Sequence, residues 1–122
     1  NTPIATGENH FTHHDMKFFI ENNIVSNLQP DLMRGGYTEL RVIADMANKN
    51  NINIAPHLFM ELNTHLNASI PNAAWLEHMG WYNHLWEEPI IPNNGHAIPP
   101  NRPGHGLKFK SDLFKEYPYK KI

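Results

Sequence analysis

The sequence has 122 residues and no cysteine, and its 12 acidic and 10 basic residues leave a formal net charge of −2 with histidine neutral. This length suits one domain with a useful core, and the near balance of charge argues against nucleic acid or anionic lipid as a partner. Without cysteine there are no disulfides or thiolate metal ligands, and no apolar run approaches the roughly 20 residues that span a bilayer. A soluble, cytoplasmic protein is the simplest interpretation.

Short apolar runs alternate with helical patterns over the first 80 residues. Helices with an apolar face are predicted to begin at Asp15, at Thr38 after a Gly35-Gly36 turn, and near Phe59. Strands alternating with helices are typical of an α/β fold with a parallel sheet and right-handed crossovers. The four predicted strands lie at 2–6, 24–28, 52–55 and 73–76.

The pattern changes after Glu87, where an irregular C-terminal arm is predicted for residues 88–122. Asn93-Asn94-Gly95 predicts a turn in this arm, and Ser111-Asp112 precedes a short predicted helix that runs to Tyr117. Five of the 10 basic residues lie in the last part of the arm, from residue 108 onward, which is typical of a solvated chain end; a basic binding patch is the alternative. These residues are Lys108, Lys110, Lys115, Lys120 and Lys121.

Each of the four predicted strands ends at an ionisable residue: Glu8, Asp31, His57 and Glu77. Successive members are 20 to 26 residues apart, which is close to one strand–helix repeat. Because equivalent ends of parallel strands meet at one edge, we expect the four side chains to gather on the rim where such folds place their chemistry. A single polar strand end is usually a helix cap or a loop residue, so the spacing alone leaves both interpretations open.

Five short motifs, in order along the chain, resemble the enolase superfamily, most closely its mandelate racemase and muconate lactonizing enzyme branch. The similarity runs from residue 3 to about residue 117. It implies a partial (β/α) barrel, with residues 1–87 forming the last four strands, the fifth to the eighth, and residues 88–122 an irregular arm. The motifs are Gly7-Glu8-Asn9, Gln29-Pro30-Asp31 with Gly35-Gly36-Tyr37-Thr38-Glu39, Ala55-Pro56-His57-Leu58-Phe59, Trp75-Leu76-Glu77 and Pro103-Gly104-His105-Gly106.

The resemblance also implies a role for each residue at a strand end. Glu8 matches the third of three carboxylates that bind Mg²⁺ in the family. His57 matches the general base, and Asp31 matches its carboxylate partner on the neighbouring strand. Glu77 matches the acid that hydrogen-bonds the substrate carboxylate in mandelate racemase. The implied reaction removes a proton α to a carboxylate, as in an acid-sugar dehydratase or a 2-hydroxy-acid racemase acting on a small carboxylate substrate.

The residue types suit this chemistry. Mg²⁺ prefers hard oxygen ligands such as the carboxylate of Glu8, and a base that is neutral near pH 7 suits His57. Asp31 can accept the other imidazole N–H and so fix the tautomer of the ring. Glu77 would help only when protonated, a form that burial or nearby negative charge favours.

The sequence lacks several elements that the family has. Only Glu8 of the three metal carboxylates is present, and the Lys-x-Lys base, the first four strands and the capping domain are missing. His105 replaces a usual leucine. A complete barrel takes about 250 residues, so we interpret the chain as the C-terminal portion of a larger enzyme. The alternative is a catalytically incomplete half-barrel that only self-associates, and in either case open sheet edges predict a homo-oligomer with a large apolar interface.

Two groups of histidines offer other sites. His57, Glu61 and His65 would share one helix face, as in a zinc site, if the helix began at Pro56. A second group beside Glu8, which comprises His10, His13 and His14, would contact substrate or metal unless it is simply solvated. The Asn67-Ala68-Ser69 glycosylation pattern is interpreted as chance. Three tryptophans are interpreted as core or interface residues: Trp75, Trp81 and Trp86.

Overall fold

The centre of the fold is a sheet of three short parallel strands, seen in a computed structural model that describes residues 2–118. The strands are β1 (Ala5–Thr6), β2 (Asn27–Leu28) and β3 (Asn53–Ile54), and they lie in the order in which they occur in the chain. Each is two residues long, shorter than predicted, but the predicted α/β order with parallel pairing is confirmed. The rows in register are Ala5–Asn27–Asn53 and Thr6–Leu28–Ile54.

The prediction of a fourth strand at 73–76 is wrong, because a single bridge stands in its place. Ala73 pairs with Ile54 in parallel. The Ala74 N–H donates to the Ile54 carbonyl at 2.8 Å, and the chain then leaves the sheet. The side chain of Trp75 is 74% exposed. A strand is stabilised mainly by packing against its neighbours, and among the described residues the segment after Ala74 has little to pack against.

Helix α1 (His13–Glu21) begins two residues before the predicted start at Asp15, because Thr12 caps it. Asp15 Oδ2 accepts the Thr12 N–H at 2.9 Å, and the Asp15 N–H reaches Thr12 Oγ1 at 3.4 Å, which completes a capping box. The backbone N–H groups of Thr12 and Phe11 hold the pKa of Asp15 below its ordinary value.

Helix α2 (Leu32–Lys49) consists of a first turn that begins after Asp31 and a longer helical part that begins after a break at Gly36. Asp31 is the N-cap, and its Oδ1 accepts the Met33 N–H at 2.7 Å. Gly36 interrupts the helix with φ 72° and ψ 170°, a conformation that only glycine adopts readily. The predicted Gly35-Gly36 turn therefore separates the two helical parts, and the longer part begins close to the predicted start at Thr38; the first turn, after Asp31, was not predicted.

Helices α1 and α2 pack on one face of the sheet. The main core joins α1 and α2 to the strands, and a smaller cluster joins α2 to α3 (Met60–Ser69). The opposite face carries Ala5, Asn27 and Asn53, which are exposed or partly exposed. The two asparagines make these strand positions a poor part of the large apolar interface that we expect of a homo-oligomer. The main core comprises Met16, Ile20, Val25, Leu28, Ile43, Ala44, Ala47, Ile52 and Ile54.

The chain after α3 has little regular structure. Asn94 and Gly95 have positive φ, and reciprocal backbone hydrogen bonds between Asn93 and His96 of 2.8 and 3.0 Å confirm the predicted turn. The rings of Trp86 and Phe109 stack with their centroids 4.5 Å apart, and this contact joins the arm to the segment before it. The predicted final helix is α4 (Leu113–Glu116), one residue shorter than expected.

Among residues 88–118, the basic side chains give no evidence of a binding patch. The Lys108 ammonium lies 3.0 Å from a carboxylate oxygen of Glu87, and Lys120 and Lys121 lie outside the described residues. Within residues 2–118, no helix is long and apolar enough to cross a membrane.

A carboxylate from α2 holds the beginning of α1. Glu39 accepts the backbone N–H of His13, and its Oε1 lies 2.6 Å from His13 Nδ1. The backbone and then the side-chain hydrogen bond from His13 lower the pKa of Glu39. Because the charged form is the one stabilised, this contribution is complete at neutral pH and is lost as the pH falls through the acid range where Glu39 is protonated.

We predict that Glu39→Gln lowers the free energy of unfolding by about 1 kcal/mol near neutral pH and that the difference from the unmodified chain disappears in acid. Urea midpoints measured across the acid range test this. The matched control is Glu21→Gln, since Glu21 is an exposed α1 residue that lies 3.6 Å from the Lys17 ammonium. Equal pH dependence of Glu39→Gln and the unmodified chain would contradict the prediction.

Candidate active site

Asp31 and His57 meet at the carboxyl end of the sheet, as predicted. They form an isolated parallel bridge just beyond β2 and β3. The backbone N–H of His57 donates to the Pro30 carbonyl at 3.1 Å. His57 Nδ1 lies 2.9 Å from Asp31 Oδ2, which confirms the predicted contact. A carboxylate can only accept, so this contact places the ring proton on Nδ1.

The carboxylate of Asp31 is held on both oxygens. Only 6% of the residue is exposed. Oδ1 is fixed by the Met33 N–H at 2.7 Å, and Oδ2 faces the imidazole. The residue therefore caps α2 and orients His57 at the same time.

Glu8 approaches the other nitrogen of the same ring. Its Oε2 lies 3.4 Å from His57 Nε2, and its side chain is 51% exposed. That distance is longer than a good hydrogen bond, so among the described residues Nε2 has only this weak contact. Gly7 makes this approach possible: it has φ 140°, and a Cβ there would lie 3.0 Å from the Gln29 backbone nitrogen.

The side chain of Glu77 reaches the same rim, where it binds a backbone N–H group. Its Oε2 accepts the Leu58 N–H at 2.7 Å, so it is fixed beside the peptide group that follows His57. All four predicted residues therefore lie on one rim, with Glu8 and Asp31 on the imidazole and Glu77 on the neighbouring backbone.

The turn after His57 contains a feature that we did not predict from the sequence. Leu58 and Phe59 have φ 47° and 40°, a left-handed conformation that is uncommon outside glycine. The side-chain amide of Asn63, which is fully buried, donates to the carbonyls of Leu58 at 2.7 Å and His57 at 3.2 Å. The sequence gives little signal for Asn63, which is one of three buried polar residues on α3, together with Glu61 and Thr64.

The alternative zinc site is not formed. Helix α3 begins at Met60, so His57 precedes the helix and does not share a face with Glu61 and His65. His65 Nε2 instead lies 3.0 Å from the His105 carbonyl. Within residues 2–118, no three histidine or acidic residues are arranged so that they could hold a metal ion.

The second histidine group makes packing contacts and contacts at the beginning of α1. It comprises His10, His13 and His14. The His10 ring meets Phe19 edge-on at 5.0 Å. His13 binds Glu39, and its ring lies 3.9 Å from that of His14. These contacts favour a structural interpretation of the group over contact with substrate.

The comparison with known families agrees with this geometry. The family model described as enolase C-terminal domain-like matches residues 1–113. The chain belongs to this family. The resemblance inferred from the five motifs is thereby confirmed.

Characterised relatives of this enolase-type chain include several acid-sugar dehydratases. L-talarate/galactarate dehydratase from Salmonella typhimurium is 38% identical over 110 residues, which cover 89% of this chain and 27% of that protein. D-xylonate dehydratase from Haloferax volcanii is 36% identical over 126 residues, which cover 95% and 31%. The crystal structure of L-talarate dehydratase from Polaromonas sp., complexed with Mg and L-glucarate, matches with a TM-score of 0.86 and 36% identity over 94% of this chain and 32% of that one. The chain thus spans less than a third of the length of these relatives.

Glu8 is the described rim residue best suited to a metal ion, since its carboxylate is half exposed. It offers a single carboxylate group, whereas Mg²⁺ requires near-octahedral coordination by several oxygens. Asp31 and Glu77 are already engaged with backbone N–H groups.

We therefore predict that Mg²⁺ binds the 122-residue chain only weakly. Calorimetric titration with magnesium chloride should give heats indistinguishable from those of Glu8→Gln. Tight binding that Glu8→Gln abolishes would show that other ligands complete a site around Glu8.

Proposed function

We propose that this chain forms the C-terminal part of the active site of an enolase-superfamily enzyme that removes a proton α to a carboxylate. The observation that carries the proposal is the placement of His57 at the end of a parallel strand, with Asp31 on Nδ1 and an open Nε2. In the complete enzyme, residues 1–87 would provide part of a (β/α) barrel, with strands β1 to β3 and the segment that bridges to β3 at Ala73. Residues 88–122 would form the arm that follows them.

His57 is the general base in this proposal. Because Nδ1–H donates to Asp31, the lone pair lies on Nε2, where it can take the α-proton. Asp31 then stabilises the positive charge that develops on the imidazole, and its own capping contact with the Met33 N–H keeps it in place. General bases of this kind contribute typically about 10²–10⁴-fold to the rate.

The rim carboxylates would act on the substrate and the metal. Mg²⁺, when bound, stabilises the negative charge that develops on the substrate carboxylate, and Glu8 would be one of its ligands, with the others supplied by the rest of the enzyme. Glu77 has one oxygen fixed by Leu58, so its second oxygen remains available to hydrogen-bond the substrate.

An acid sugar is the proposed substrate class, since the relatives include dehydratases of talarate, galactarate and xylonate. In dehydration, the C–H bond next to the carboxylate breaks and its proton passes to His57. The hydroxyl group on the adjacent carbon then takes up a proton and leaves as water, and the enol that remains tautomerises to a 2-keto acid. Racemisation of a 2-hydroxy acid is the second candidate, and it shares the first step.

We predict that His57→Asn in the complete enzyme slows α-proton exchange on the face of the substrate next to this residue by about 10²–10⁴-fold. Deuterium incorporation from D₂O, followed by NMR, measures the exchange directly, whether dehydration or racemisation follows. His65→Asn is the matched control, because His65 lies on α3 and contacts the His105 carbonyl instead of the residues around His57. Undiminished exchange in His57→Asn would remove this residue from the mechanism.

Self-association is the second function that we propose for the 122-residue chain alone. Among the described residues, β1 pairs only with β2, and β3 has only one further bridge, with Ala73. The open face of the sheet is polar, so strand edges are the better candidates for contact. Exposed backbone N–H and C=O groups at such edges invite pairing with another chain.

We predict that sedimentation at micromolar concentration shows a homo-oligomer and that Ala5→Lys shifts it toward monomer, because a charged side chain at the β1 edge opposes strand addition. Asn48→Lys adds the same charge on the exposed surface of α2 and serves as the control. A stable monomer of the unmodified chain would contradict the proposal.

A further inference from the structure

We infer that Asn63 is a positioning residue that sets the location of the His57 imidazole by holding the left-handed turn after it. The inference rests on the proposed role of His57, but it makes a claim about the ring that can be measured without turnover. Asn63 lies on α3 and touches the backbone of His57, not its ring.

The turn between His57 and α3 needs to be held. Leu58 and Phe59 are both bulky, and both have a left-handed backbone. In L-residues this conformation brings Cβ too close to the following carbonyl oxygen, so such residues persist only where surrounding contacts fix them. Without those contacts, the chain after His57 would relax to an ordinary conformation and carry the residue with it.

Asn63 and Glu77 hold this turn from two sides. The Asn63 amide has two N–H groups, and each reaches one carbonyl, that of His57 at 3.2 Å and that of Leu58 at 2.7 Å. Glu77 Oε2 accepts the intervening Leu58 N–H at 2.7 Å. The backbone N–H of Asn63 also donates to the Phe59 carbonyl at 2.9 Å. Rotation of the His57–Leu58 peptide would break contacts on both sides at once.

The donors of Asn63, and not its acceptor, are what the turn uses. Among the contacts of the described residues, the buried Oδ1 atom of Asn63 has no hydrogen-bond partner. A buried polar atom without a partner is costly, so packing alone would favour leucine at this position. The amide is therefore explained by the two carbonyls that it binds beside His57.

The same arrangement elsewhere provides a matched control. Asn72 Nδ2 donates to the carbonyls of Ala44 at 3.1 Å and Ile52 at 2.9 Å, and its Oδ1 is likewise buried without a partner. Asn72 thus holds two backbone carbonyls near the core and does not contact the residues around His57. Asn72→Leu removes the same kind of interaction from a different place.

The test is ¹⁵N NMR of the histidine rings in the 122-residue chain, with the His57 signals assigned by their loss in His57→Asn. At a pH where the ring is neutral, we expect the unmodified chain and Asn72→Leu to show one His57 tautomer, with the proton on Nδ1. We expect Asn63→Leu to show averaged nitrogen shifts from mixed tautomers, because Nδ1 no longer stays on Asp31. In the complete enzyme, Asn63→Leu should lower kcat for α-proton exchange at least tenfold with KM nearly unchanged.

A single Nδ1–H tautomer in folded Asn63→Leu would overturn the inference and leave Asn63 with a structural role only. If Asn63→Leu does not fold, the same comparison is made between Leu58→Gly and Leu58→Gly with Asn63→Leu, since glycine relieves the strain that Asn63 holds. Normal exchange in His57→Asn would refute the proposed base, whereas the tautomer measurement would still decide the role of Asn63.

Discussion

The hydrogen bond between Asp31 and His57 is the interaction on which the rest of the rim depends. It continues the pairing of β2 and β3 beyond the last regular strand residues, because the two residues also form a backbone bridge. The same Asp31 carboxylate starts α2 by accepting the Met33 N–H, so the helix and the imidazole share one anchor. A residue with both roles couples the local fold to the site: moving the carboxylate for one purpose would disturb the other.

The positions of the rim residues follow from the parallel pairing of the strands and from the backbone conformation at two points. Gly7 lets the chain after β1 pass against the backbone of Gln29, and this brings Glu8 to the open side of His57. On the other side, the left-handed Leu58 and Phe59 make the chain turn sharply into α3. Strain of this kind is concentrated next to the residue that we propose as the base, and it is held by the buried Asn63 amide, in keeping with the tendency of functional sites to store backbone strain.

The sequence allowed the α/β order and the meeting of Asp31 with His57 to be predicted, because strand ends recur at nearly one repeat and parallel strands place them on one rim. Helix starts were predicted less well, since they depend on capping contacts: Thr12 begins α1 early, and Asp31 begins α2 ahead of the glycines. The zinc alternative failed for a related reason, because two left-handed residues delay α3 until Met60 and take His57 off the helix. Asn63 was missed because an asparagine in a helical pattern gives no indication that it faces inward to bind backbone carbonyls.

The two faces of the sheet differ in a way that constrains what can cover it. The helix side buries Leu28 and Ile54 in the core, whereas the other side presents Asn27 and Asn53 in one row with Ala5. Burying amide side chains is costly unless each finds a hydrogen-bond partner. If a second copy packed on this face, the asparagine side chains of the two copies would be buried against each other without hydrogen-bond partners in a suitable geometry. Edge pairing satisfies backbone groups instead and leaves the asparagines hydrated. Layered packing against further strands, as in the complete barrel that we propose, would have to supply polar partners for Asn27 and Asn53.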